Sequence, residues 1–150
     1  MKKSPFLIIL MVVLSSCMAT KTALFDHYSY QKTTEIKVET SNLMDKSSTS
    51  YTDNKIAIEK LLLEVQKLIE YEKNKPNNEI TFAMWTILND KEKNLLAGFF
   101  SRWQEKEKLS PAFAIEAKKQ TMEALDLLIQ YEVKKDKESA NLLLDLIKTK

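Results

Sequence analysis

A single glycine, Gly98, in 150 residues leaves this chain almost without the residue that tight β-turns require, because a left-handed backbone costs other residues a clash at Cβ. No stretch alternates β-branched and polar residues for long enough to make a strand. The sequence instead carries apolar residues at helical spacing, so an all-α fold is expected, a small bundle of about four main helices with short connections. A chain of this length buries about two-thirds of its unfolded surface and can fold alone. The same scarcity limits the chemistry. One glycine cannot build a phosphate-binding loop, and one His with one Cys cannot supply a metal site made from several of either.

Residues 1–16 read as a secretory signal: Lys2 and Lys3 come first, then the unbroken apolar run Phe6 to Leu14. The run is too short to cross a bilayer, which takes about 20 residues of helix. Next comes Leu14-Ser15-Ser16-Cys17, an aliphatic residue, two small residues and a Cys. All four positions resemble the lipobox of bacterial lipoproteins. The resemblance implies a diacylglycerol on the Cys17 sulfur, cleavage just before Cys17, and a fatty acid such as palmitate on the new amino group. Two or three acyl chains hold firmly where one is marginal, so the protein would be anchored without spanning the membrane. Met18 stands where an Asp retains many Gram-negative lipoproteins at the inner membrane, which implies the outer membrane. The first acidic residue after Cys17 is Asp26, so the acidic cluster that sends some lipoproteins to the cell surface is missing and the periplasmic face is expected. Without the resemblance, the same stretch reads as an ordinary secretory signal cut near Ala19. Apart from the covalent lipid on Cys17, no cofactor is expected.

Loss of Lys2 and Lys3 would take the basic residues from 23 to 21, equal to the 21 acidic ones. A formally neutral body carries no footprint for nucleic acid. Residues 17–25 are expected to form the lipidated Cys and a tether about 25 Å long at ~3.3 Å per residue, and residues 26–150 the helical domain. Asp26 or Ser29 caps a first helix to about residue 47, with Ile36, Leu43 and Met44 on one face and Tyr28 and Thr40 flanking it. Its many Ser and Thr residues make it dependent on packing. Thr52 or Asp53 caps a second helix to Lys73, with Ile58, Leu61, Leu62, Val65, Leu68 and Ile69 as its stripe. A third helical segment, 79–108, breaks at Asn89-Asp90. Ser110-Pro111 opens a fourth with the stripe Ala117, Thr121, Ala124, Leu125, Leu128 and Tyr131. The stripe falters over 134–139 and resumes at Leu142, as a continuation or a separate short helix. Ile69-Glu70-Tyr71-Glu72 and Ile129-Gln130-Tyr131-Glu132 are near-repeats, attributed to chance likeness between amphipathic helices.

Asp26 and His27 begin an acid-base pair that nothing completes, so His27 reads as a capping or surface residue. The carboxylate pairs Glu70 with Glu72, Glu105 with Glu107, and Asp136 with Glu138 are two residues apart. That spacing puts them about 200° apart around a helix, on solvated faces. No serine lies in a nucleophile elbow. The chain therefore reads as a non-enzyme. Phe82, Trp85, Phe99, Phe100 and Trp103 read mostly as core. Trp103 and the only arginine, Arg102, form the candidate partner-contact pair and are expected to be exposed, because their helix runs on into Gln104-Glu105-Lys106. The expected role is a lipid-anchored envelope protein acting as an accessory or adaptor subunit for an unidentified envelope protein. The alternatives are an inhibitor or immunity protein against an envelope-active enzyme or toxin, and a carrier enclosing an apolar ligand near the aromatic cluster. A hydrolase using Asp or Glu stands last. Tyr28 and Tyr30, close to the acyl chains, are candidates for the membrane interface.

Overall fold

Asp26 starts the first helix, α1 (His27–Met44), by accepting the amides of Tyr28 and Ser29 on its carboxylate at 2.9 and 3.3 Å. The computed structural model describes residues 22–149. The expected signal peptide, the expected lipobox with Cys17, and residues 17–21 of the expected tether lie outside them. The remaining helices are α2 (Tyr51–Lys73), α3 (Glu79–Leu88), α4 (Leu96–Lys106), α5 (Pro111–Lys134) and α6 (Lys137–Thr149). No strand occurs among the described residues, so the chain is an all-helical bundle. The described residues form six helices rather than four because the third segment divides and the last stripe forms its own helix.

The boundaries show which local signals sufficed. Ser110 caps α5, its hydroxyl accepting the Phe113 amide at 3.4 Å, and Pro111 takes the first position, where no amide is needed. The α5–α6 break comes from Lys135 in a left-handed conformation (φ 49°) and from Asp136, whose carboxylate accepts the Ser139 amide at 2.8 Å. By contrast, α2 begins at Tyr51, ahead of both expected caps. Its first turn is served from the far end of α4. Glu107 accepts from the Thr52 amide at 3.1 Å, the Thr52 hydroxyl at 2.8 Å and the Ser50 hydroxyl at 2.6 Å. A carboxylate at a helix N-terminus meets unpaired amides and the positive end of the dipole. The Ser50 hydroxyl, followed by the Thr52 hydroxyl and amide, holds the Glu107 carboxyl below the usual range.

α1 lies against α5 and α2, α6 folds back onto α5 and α3, and α4 packs on α2. All six expected stripe positions of α5 are buried, as are Ile58, Leu61, Val65 and Leu68 of α2. The inner face of α1 is more polar than its stripe predicts. Ser29, Thr33 and Thr40 are buried beside Ile36, Leu43 and Met44, while Tyr28 is exposed. α1 packs on α5, and both helices bury small side chains, Ser29, Thr33 and Thr40 on α1 and Ala117, Thr121 and Ala124 on α5. The Thr33 hydroxyl donates to the Ser29 carbonyl at 2.7 Å and Thr121 to the Ala117 carbonyl at 2.9 Å. Each satisfies its oxygen within its own helix. Among the described residues no helix is long and apolar enough to cross a membrane.

Candidate functional site

The buried charged side chains gather at one pole of the bundle, where the N-terminus of α1 meets the C-termini of α2 and α5. Glu72 and Glu132 stand in the last turns of α2 and α5 and are 1% and 3% exposed. A buried carboxylate there is unfavourable twice over, from lost hydration and from the negative end of the helix dipole. Lys75 compensates. Its ammonium is 3.3 Å from Glu72 Oε2, 3.4 Å from Asp26 Oδ2 and 4.0 Å from Glu132 Oε2, and it donates to the Ser29 hydroxyl at 2.9 Å. Lys135 pairs with Glu132 at 2.7 Å, and Asn78 donates to Glu72 Oε2 at 2.6 Å.

The same groups fix where the chain joins the bundle. The Asp26 amide donates to Glu132 Oε1 at 2.7 Å, and the Tyr71 hydroxyl donates to Asp26 Oδ2 at 2.6 Å. Just upstream, Ala23 is buried and its amide donates to the Asn77 carbonyl at 2.8 Å. Two clefts flank this segment. One of about 500 Å³ runs under Ala23, Phe25, Lys75 and Pro76, and another of about 640 Å³ lies between Thr22, Ile80, Tyr131 and Lys137.

Asp26 is thus helix cap, ion-pair partner and phenol acceptor at once. Burial works against its charge, but the Tyr71 hydroxyl, the Ser29 amide and Lys75 outweigh it and hold the carboxyl below its ordinary value. The Tyr71 phenol is pushed up to about 12, chiefly by donating to Asp26. The two shifts bracket a pH window. A lowered carboxyl contributes stability above its unfolded value, near 3.8, and the contribution disappears as pH falls through the folded value. A raised phenol contributes below its unfolded value, near 10, and the contribution is lost as pH rises toward about 12. Tyr71→Phe is therefore expected to lower the urea midpoint between those limits and to flatten its fall above pH 10. Parallel curves for the two proteins across the alkaline range would count against the Tyr71–Asp26 bond.

Several expectations change here. Trp103 is 0% exposed, not exposed. It shares a stripe with Leu96, Phe99 and Phe100 at helical spacing, and its indole donates to the carbonyls of Thr49 and Glu107 at 3.1 and 3.2 Å. Face decides burial, and the polar residues that follow it sit on other faces. Arg102, one position away, is exposed, with its guanidinium 4.9 Å from the centre of the Phe113 ring. The pair is split between core and surface. Glu72 is also corrected, from solvated to buried. His27 is exposed, and the adjoining Asp26 carboxylate is engaged by Tyr28, Ser29, Tyr71 and Lys75. Cys17 lies outside the described residues.

The pole's residues carried a signal in the near-repeat. Extended by three positions, both copies read Ile-x-Tyr-Glu-x-x-Lys, at 69–75 and 129–135. In each copy the Glu is buried and pairs with the Lys three residues on, and the Lys ammonium stands over the Tyr ring, at 6.0 and 4.8 Å. Among the described residues no group of three or more His, Cys, Asp or Glu is placed to hold a metal ion. Compared with protein families, curated proteins and solved structures, the chain matches none.

Proposed function

We propose that the protein is a lipid-anchored component of the bacterial cell envelope, held at the periplasmic face of the outer membrane through Cys17, that works by protein contact as an accessory or adaptor subunit. The observation that carries this reading is the lipobox Leu14-Ser15-Ser16-Cys17, five positions ahead of the segment pinned to the pole. A lipid-anchored protein needs its anchor joined to a firm part of the fold, and the bonds from Ala23 to Asn77 and from Asp26 to Glu132 provide that junction. A role in contact rather than catalysis is supported by how the polar groups are used. Asp26, Glu132 and Glu107 hold backbone amides, and Lys75 and Lys135 hold the buried carboxylates. Surface for a partner is available on α2, where Ile56 and Leu63 are exposed two helical turns apart, and on α5 at Ile115. Arg102 is the remaining member of the expected contact pair.

Cys17→Ser tests the anchor. The native protein is expected in the membrane fraction with a mature N-terminus at Cys17 and the mass of its acyl chains. The variant is expected as unprocessed precursor or released product. A variant that remains fully membrane-bound at unchanged size would overturn the proposal. In-cell crosslinking of the native protein, read by mass spectrometry, then identifies the partner.

A further inference from the structure

We propose that the pole where the chain joins the bundle rests on the lipid bilayer, with Leu24 and Phe25 in its interfacial region; this builds on the reading of Cys17 as acylated. Leu24 is 86% and Phe25 51% exposed, so two large apolar side chains adjacent in sequence both face solvent. They are not on a loose end. The backbone is bonded just before them, Ala23 amide to Asn77 carbonyl at 2.8 Å, and just after them, Asp26 amide to Glu132 at 2.7 Å. The fold therefore holds these two side chains out from its surface. Three residues on from Phe25, Tyr28 is also exposed and its ring packs at 4.7 Å on Tyr71, while Phe25 lies 6.1 Å from Tyr30. Aromatic rings with a polar edge are the residues that settle at the boundary between headgroups and acyl chains.

The length of chain selects the bilayer as occupant. From Cys17 to Thr22 there are five Cα steps, a reach of at most about 18 Å at ~3.6 Å each. Acyl chains on Cys17 lie in the hydrocarbon, and the interfacial layer outside it is only about 6 Å deep. The pole is therefore confined to the neighbourhood of the membrane surface. Lipid is then available to Leu24 and Phe25 at an effective concentration no soluble partner matches. The ion-paired groups at the pole, Lys75 and Lys135 with Asp26, Glu72 and Glu132, are two cations to three carboxylates and so carry no positive excess. Apolar contact with lipid, not attraction to anionic headgroups, sets the seating.

The test uses the full-length acylated protein, reconstituted in vesicles of phosphatidylethanolamine and phosphatidylglycerol carrying brominated acyl chains, which quench indole on contact. Phe25→Trp is the reporter, and Ile115→Trp, about 25 Å along α5 from Glu132 at ~1.5 Å per residue, is the control. The native indoles, Trp85 and Trp103, are both buried in the bundle. The Phe25→Trp signal is expected to be quenched several-fold more than the control, and adding Leu24→Glu is expected to lower that quenching without changing flotation. If the protein floats with acylated Cys17 but Phe25→Trp is quenched no more than Ile115→Trp, the seating is wrong although the anchor stands; a patch reserved for a protein partner gives this result. If the protein stays in the aqueous phase with a bare Cys17 thiol, anchor and seating fall together.

Discussion

Gly98→Ala is expected to cost about 3 kcal/mol of stability or more, at a position where helix propensity alone favours alanine by roughly 1 kcal/mol. The opposite signs make this a sharp test. Gly98 lies in the first turn of α4, where the loop 89–95 doubles back over the helix. An added Cβ would sit 1.7 Å from the Lys93 carbonyl oxygen and 2.9 Å from that of Lys91. Both are backbone atoms, so no rotamer change relieves the contact, and either the loop lifts or α4 moves. For a domain of this size each kcal/mol corresponds to roughly 2–4 °C, so Tm is expected to fall by roughly 6–12 °C. Phe99, Phe100 and Trp103 hang from the same short helix, and displacing it would wet Trp103 and shift its emission to the red. An alanine variant as stable as the parent would show that the loop does not press on α4 this closely.

Signals that act within one turn of helix were legible in the sequence. Asp26 and Ser110-Pro111 start helices because the capping oxygen or missing amide lies within three residues of its target. The stripe of α5 is buried at every expected position because spacing on one helix determines face. Effects that depend on approach in space were not legible. The single glycine excludes several folds by its rarity, but nothing local says that Lys91 and Lys93 return to cover it. The cap of α2 is Glu107, more than fifty residues from Thr52. Trp103 was placed by the polarity of the residues after it, whereas its own face, shared with Phe99 and Phe100, puts it in the core. Glu72 looked solvated because the acids of its pair stand on different faces. One of those faces meets the ends of α1 and α5, and the ammonium that makes burial tolerable is Lys75, outside the helix. The repeated Ile-x-Tyr-Glu-x-x-Lys was the available clue, since a carboxylate in the last turn of a helix with a lysine three residues on is one arrangement that can be buried.

Lys75→Met should produce a loss of about 3–5 kcal/mol, the usual cost of removing one partner from a buried ion pair. Methionine keeps most of the length of the side chain, so the effect is one of charge more than of volume. Without the ammonium, Glu72 keeps Asn78 as a donor, but its other oxygen, Oε1, is already buried with no hydrogen-bond partner. Asp26 and Glu132 lose a shared cation at the same time, although Lys135 still serves Glu132 and Tyr71 still serves Asp26. Glu72 should therefore dominate the loss, and Glu72→Gln in the Lys75→Met background is expected to recover part of it. A double-mutant cycle on urea unfolding should give a coupling of about 1–3 kcal/mol between the two positions. Independent effects, or a Lys75→Met loss below about 1 kcal/mol, typical of an exposed pair, would mean the pole is held by its apolar contacts instead. The same variant bears on the membrane reading. Asp26 pins the segment that would carry the anchor, so weakening its ion pair should expose the peptide bonds near Thr22 to protease before the helices give way, separating a loosened junction from an unfolded domain.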